Sequence, residues 1–169
     1  MERILVIGLN GAGKSTFANK LGKKLNLEVI HLDKVYYNSG WDRAYKTQPE
    51  WKQKVSEIAA QDKWIIDGHY NSSLKLRIPR ADTIIFFNFS KIICLYGVFK
   101  RLFNHNQSFD KQEGNLNRIS WNLIRKIIIF DREKMLRTLE ELKPSKKIFV
   151  VKNRKEAEEL LSILSLSEV

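Results

Sequence analysis

Residues 8–15 read Gly-Leu-Asn-Gly-Ala-Gly-Lys-Ser and follow directly on the apolar run Ile4-Leu5-Val6-Ile7. The pattern G-x-x-x-x-G-K-[ST] is a phosphate-binding loop. It constrains the fold because it works only between a strand and the helix that follows. Gly8, Gly11 and Gly13 let the backbone turn tightly, so that the N–H groups from Asn10 through Ala12 to Ser15 and Thr16 face phosphate oxygens. Lys14 supplies a point charge for the β- and γ-phosphates, and the Ser15 hydroxyl is a magnesium ligand in such loops. Phe17, Ala18, Leu21 and Leu25 fall on one helical face immediately afterwards, and that helix adds its positive dipole end. ATP with Mg2+ is therefore the expected ligand. The alternative is a glycine-rich turn that binds nothing.

Strand and helix signals alternate along the remaining chain. Strands are expected at 28–32, 64–67, 82–89 and 147–151, and helices at 14–25, 91–103, 116–142 and from 154 to the end. Thr47 and Glu50 form a capping-box pattern ahead of Trp51, Val55, Ile58 and Ala59 on one helical face. Asn153 is placed to cap the last helix. The strands are continuous apolar runs such as Ile84-Ile85-Phe86-Phe87, not alternating ones. Runs of that kind are buried on both faces, which means a parallel sheet between helical layers. No linker or repeat divides the 169 residues, so one domain over 1–169 is expected. Ligands of such sheets sit at the carboxyl ends of the strands. Attention therefore falls on Asp33, Asp67 and the residues after Phe89 and Val151.

Asp33 follows the second strand and can orient or deprotonate an acceptor hydroxyl. Its bland alternative is a turn-capping role before Tyr36 and Tyr37. Asp67 ends Trp64-Ile65-Ile66-Asp67 in the manner of a magnesium-holding strand-end acid. His69 and Tyr70 come next and are placed to line an acceptor pocket. Arg77 and Arg80 precede the fourth strand and can take an anionic acceptor, or simply face water. The polar stretch 104–114 lies between Arg101 and Arg118, whose charges suit a transferring phosphoryl group. A lid over 104–118 would exclude water from the reaction. An exposed helix connection is the other reading of that stretch.

The net charge of +11 raises the question of nucleic acid. The basic residues are dispersed, from Lys20, Lys23 and Lys24 to Lys146, Lys147 and Lys155, with no dense block. Nucleic acid is thus a possible partner that the pattern does not favour. The single Cys94 has no partner, and no signal peptide precedes the first strand, so a cytoplasmic protein is expected. The apolar stretch 84–99 is broken by Asn88 and Lys91 and is too short for a membrane span. There is no H-E-x-x-H, no Cys/His cluster and no nucleophilic serine motif, which leaves metal hydrolases and acyl transferases unsupported.

The loop at 8–16, His31-Leu32-Asp33, Trp64-Ile65-Ile66-Asp67-Gly68-His69-Tyr70, Arg80-Ala81-Asp82-Thr83 and Asp110…Glu113-Gly114 together resemble the bacterial DNA topology modulation protein family. That group sits among the adenylate-kinase-like and shikimate-kinase-like P-loop kinases. The resemblance covers nearly the whole chain and is strongest before residue 90. It implies an α/β three-layer sandwich of the P-loop NTPase type, with a five-stranded parallel sheet of order 2-3-1-4-5 and a small lid. It also implies ATP and Mg2+. The family usually carries Arg-Pro-Asp in the lid, where this chain has Ser108-Phe109-Asp110, so Arg101 or Arg118 must supply the charge. The expected function is transfer of the γ-phosphoryl group of ATP to a small acceptor, a nucleoside or nucleotide being favoured, by a monomer or homodimer. An ATP-regulated DNA-binding protein and a kinase of a sugar-like polyol are the competing readings.

Overall fold

The computed structural model describes residues 1–103 and 119–166. Its five strands are β1 (Arg3–Gly8), β2 (Val29–His31), β3 (Trp64–Asp67), β4 (Thr83–Phe87) and β5 (Lys147–Val151). They pair in parallel in the order β2-β3-β1-β4-β5. The inner strands β1, β3 and β4 are buried throughout except at Arg3, while the edge strands β2 and β5 are partly exposed. That explains why the inner strands read as unbroken apolar runs.

Alternate side chains feed two cores, one on each face of the sheet. Ile4, Val6, Ile65, Ile85 and Phe87 face helices α1 (Lys14–Leu25), α5 (Lys91–Phe103), α6 (Trp121–Ile128) and α8 (Arg154–Leu166). Leu5, Ile7, Ile66, Ile84 and Phe86 face α2 (Leu32–Tyr36), α3 (Gln48–Ala59), α4 (Asn71–Arg77) and α7 (Arg132–Leu142). The result is the three-layer sandwich. Among the described residues, no helix is long and apolar enough to cross a membrane.

Several local expectations hold in atomic detail. The Thr47–Glu50 capping box opens α3, with Glu50 N–H donating to Thr47 Oγ1 at 3.4 Å and Thr47 N–H to Glu50 Oε2 at 3.1 Å. Asn153 Oδ1 accepts from Glu156 N–H at 3.0 Å at the start of α8. Three boundaries differ. Strand β2 stops at His31, because Leu32 and Asp33 already belong to α2. Strand β4 is Thr83–Phe87 and not 82–89: it begins at Thr83, since the Asp82 carboxylate turns away to accept the N–H groups of Glu2 and Arg3 at 2.9 and 2.8 Å, and it ends before Asn88.

The third difference is the largest. The single helix expected over 116–142 is two helices, α6 and α7, within the described part. Ile127 of α6 packs into the first core and Leu139 of α7 into the second. No straight helix can cover both faces of one sheet. The chain therefore breaks at 129–131, where Phe130 touches both cores and Asp131 Oδ1 caps α7 through Lys134 N–H at 2.9 Å. The lid candidate 104–118, with Arg118, lies outside the described residues.

Candidate active site

The phosphate loop connects β1 to α1 at the carboxyl edge of the sheet. Gly13 is the residue before α1, at φ 88°, and no side chain caps the helix. The first turn also holds no acid. Its N–H groups thus keep the unsatisfied, positively polarised end that binds anions. A Cβ on Gly13 would meet nothing within 4 Å, so this side of the loop is open. Gly11 differs. A Cβ there would lie 2.0 Å from the Cys94 carbonyl oxygen, because α5 presses its backbone against the loop. Gly11 is glycine for the helix behind it as much as for a phosphate in front. Gly8, similarly, abuts the carbonyl of Phe87. Ala12 packs its methyl into the first core, which leaves only its backbone for a ligand, whereas Thr16 is exposed.

Lys14 is 7% exposed and folds back so that Nζ donates to the Leu9 carbonyl at 2.9 Å. Ser15 is equally buried. Across the β1–β3 ladder Val6 is in register with Asp67, which is 3% exposed. Asp67 Oδ2 accepts from His31 Nδ1 at 2.9 Å, while Oδ1 is buried without a hydrogen-bond partner. Burial alone would raise this carboxyl. The His31 hydrogen bond, the charge of Lys14 and the nearby Ser15 outweigh it and hold Asp67 below its ordinary value. It is thus an anion at neutral pH.

That orphaned oxygen is the test of whether the residues present fit the magnesium ion implied by the fold. A buried ionised oxygen without a donor is costly, and a hard cation is the partner that removes the cost. One carboxylate, one hydroxyl and substrate phosphates are the donor set Mg2+ accepts. No cluster of three or more His, Cys, Asp or Glu side chains suited to a metal occurs among the described residues.

Asp33 and Tyr70, far apart in sequence, are brought together: the Tyr70 hydroxyl donates to Asp33 Oδ1 at 2.5 Å. Burial, and then the Asp33 charge, push the Tyr70 phenol well above its ordinary value, so it remains a donor. Its ring packs against Tyr36 and Trp51 with centroids 5.3 and 5.1 Å apart. Asp33 sits in the first turn of α2 and not at a strand tip. His69 lies with its ring edge-on to Phe130 at 5.0 Å, and neither ring nitrogen finds a hydrogen-bond partner. Burial first, then the charges of Lys14 and Arg77, lower it to about 4, with Asn71 acting weakly the other way. It is a neutral imidazole at neutral pH.

Arg77 corrects the sequence reading. It was expected on an anionic acceptor or at the surface, yet it is 0% exposed. Its Nη1 donates to the Gly68 carbonyl at 2.7 Å, and Nη2 to those of His69 and Tyr70 at 2.6 and 3.1 Å. The guanidinium therefore ties down the loop after β3 and sets where His69 and Tyr70 stand. Arg101 occupies the last turn of α5, half-buried.

Two residues near the site were missed. His31 was noticed only within a motif, although its register partner is Asp67. Arg132 belongs to no motif of the sequence. Its Nε donates to Asn88 Oδ1 at 2.7 Å and Nη2 to the Asn88 carbonyl at 3.2 Å, just past the end of β4. Phe130, two residues earlier, rests on His69 past the end of β3. Arg132 is thus a half-buried cation at the carboxyl edge of the sheet, with no carboxylate partner among the described residues.

Folds with this architecture are known. A gluconokinase from Sinorhizobium meliloti 1021 superposes with a TM-score of 0.54 at 16% identity, over 98% of this chain and 94% of that one. A deoxyadenosine kinase from M. mycoides gives 0.55 at 16% identity, over 98% and 99%. A shikimate kinase from Bacteroides thetaiotaomicron gives 0.55 at 16%, over 99% of both chains. This chain has the fold of a P-loop kinase. No protein-family model matches the sequence. By sequence, the chain is 39% identical over 84 residues to a tRNA dimethylallyltransferase of Mycoplasmoides gallisepticum. That segment is 46% of this chain, which spans only 27% of the relative.

Proposed function

We propose that this protein is an ATP-dependent phosphotransferase acting on a small hydroxyl- or phosphate-bearing acceptor, with a nucleoside or nucleotide favoured. The observation that carries the reading is the buried, unpartnered Asp67 Oδ1 beside Ser15, Lys14 and the uncapped start of α1.

In this reading the N–H groups of residues 10–16 hold the phosphates. Lys14 exchanges its bond to the Leu9 carbonyl for a phosphate oxygen, and Ser15 and Asp67 hold Mg2+. The ion, when bound, neutralises charge on the phosphates. Asp33, oriented by Tyr70, accepts the proton of the acceptor hydroxyl as the oxygen forms its bond to the γ-phosphorus. The bond to the bridging oxygen breaks, and ADP leaves with the electron pair. His69 contributes neutral hydrogen bonding to the acceptor. Arg132 and Arg101 supply positive charge where the family's lid arginine is replaced. The motifs quoted from the sequence resemble those of the DNA topology modulation group, and the dispersed charge agrees with a kinase that holds several phosphates.

A nucleic-acid partner is the second reading. It is favoured by the +11 charge and by the local similarity to an enzyme named for tRNA. Two measurements separate the readings. Purified protein screened against nucleosides, nucleotides and polyols for acceptor-dependent ADP release should respond to one class, and Lys14→Ala should lose both turnover and ATP affinity while staying folded. Wild-type ATP affinity in Lys14→Ala defeats the phosphate-loop assignment. Sub-micromolar nucleic-acid binding at physiological salt, with a log–log salt slope of about −0.9 per phosphate contacted, would favour the second reading.

A further inference from the structure

His31 is a buried polar side chain to which the proposed chemistry gives no task. It closes β2, is 5% exposed, and stands in register with Asp67 across the parallel ladder, so the two side chains leave the sheet on the same face. An ionised carboxylate only accepts. The 2.9 Å contact therefore places the proton on His31 Nδ1, donating to Asp67 Oδ2. On the far side of the ring, Nε2 faces the Asn19 side-chain amide, 3.1 Å from Nδ2 and 3.3 Å from Oδ1. The same amide nitrogen donates to the Ser15 carbonyl at 3.0 Å, one helical turn back along α1.

A continuous chain of hydrogen bonds thus runs from Ser15 through Asn19 and His31 to Asp67. It links the first turn of α1 to the tip of β3, the two elements that carry the candidate metal donors. The ring cannot serve as a base toward an acceptor, because Nε2 is occupied by Asn19. What it does is hold one carboxylate oxygen and leave the other, Oδ1, unpartnered. One imidazole N–H serves one carboxylate oxygen, so the ring fixes Oδ2 and leaves Oδ1 to other partners.

We propose that His31 is a positioning residue for Mg2+. Braced by Asn19, it fixes the rotation of the Asp67 carboxylate so that Oδ1 is presented toward the Ser15 side, and it thereby sets the affinity of the site for the ion. The proposal rests on reading this site as one for a magnesium–nucleotide complex. Partners that orient a metal-binding carboxylate typically change metal affinity about 10–100-fold when removed.

The test is calorimetric titration of ATP into the full chain at graded Mg2+, which needs no acceptor and no turnover. His31→Leu removes the donor, whereas His31→Asn keeps an N–H close to the Nδ1 position. His31→Leu should raise the Mg2+ concentration for half-maximal gain in ATP affinity about 10–100-fold, while affinity without Mg2+ moves less than about threefold. His31→Asn should recover most of that loss. A purely structural role would instead lower both affinities together, with no advantage for asparagine, and that result overturns the proposal. Should His31→Leu fail to fold, Asn19→Ala decides: an unchanged Mg2+ midpoint there overturns the proposal and a raised one supports it. Absence of ATP binding would overturn the nucleotide-site reading itself, and wild-type ATP binding that ignores Mg2+ would overturn its magnesium part. A responsive wild type with an unresponsive His31→Leu would overturn only the positioning role.

Discussion

Gly97→Ala sets a gain in helix propensity against a collision with the phosphate loop. Gly97 lies inside α5, where alanine is ordinarily favoured by about 1 kcal/mol. Here the new Cβ would stand 2.1 Å from the Gly11 carbonyl oxygen, 2.9 Å from its carbonyl carbon and 3.1 Å from its Cα. Real Cβ contacts essentially never fall below 3.0 Å, so helix and loop must separate by about 0.9 Å. The atoms in the way are backbone, and a Cβ on Gly11 would likewise meet the Cys94 carbonyl oxygen at 2.0 Å, so no rotamer change relieves the contact. Overpacking of this kind costs about 1–3 kcal/mol. The propensity gain offsets part of it, and net destabilisation should be about 0–2 kcal/mol. Function should suffer more, because a misplacement of about 1 Å at a positioned site costs on the order of 100-fold. Thermal melts and calorimetry on the same preparation would measure both. The expected result is a small fall in Tm with ATP affinity reduced about 10–100-fold. ATP affinity within about threefold of wild type would refute the claim that α5 sets the position of the loop.

Arg132→Ala should lower kcat about 10²–10³-fold, as for loss of one preorganised donor to a transition state, while ADP affinity changes less than about threefold. Steady-state kinetics beside ADP calorimetry test this, and a kcat within about threefold of wild type removes Arg132 from the chemistry. His69 predicts a pH effect on stability. Its native value of about 4 lies below the ordinary 6.5, so the unfolded chain takes up a proton that the native one refuses between those values. The stabilisation is complete above pH 6.5, is lost as pH falls toward 4, and amounts to about 3 kcal/mol. His69→Gln should flatten that part of the profile in Mg2+-free urea titrations, and parallel wild-type and variant profiles would contradict it.

What could be read from the sequence was whatever is specified within a few neighbouring residues. The phosphate loop is one such unit, since its glycines, lysine and serine act through adjacent backbone. The capping box at Thr47 and Glu50, the cap at Asn153 and the unbroken runs of β1, β3 and β4 are others. Strand-end acids were legible because parallel sheets put ligands at one edge, which turned Asp67 from a residue in a list into a candidate donor.

Only the tertiary structure decided matters that depend on register or on which face of the sheet a segment covers. The helical period of 116–142 carries no mark of the point at which the chain must cross from one core to the other, so the break at 129–131 could not be seen. That same crossing brings Arg132 onto Asn88 and Phe130 onto His69. Arg77 looked like a surface cation because arginine usually is one. Three carbonyls converging after β3 make its burial tolerable, and nothing local announces them. His31 and Asp67 are 36 positions apart and become partners through the pairing of β2 with β3, while Gly11 and Gly97 are small because two backbones meet there. Local chemistry specifies which groups a chain can offer, but distances between segments arise from packing, and packing decides which of those groups face one another.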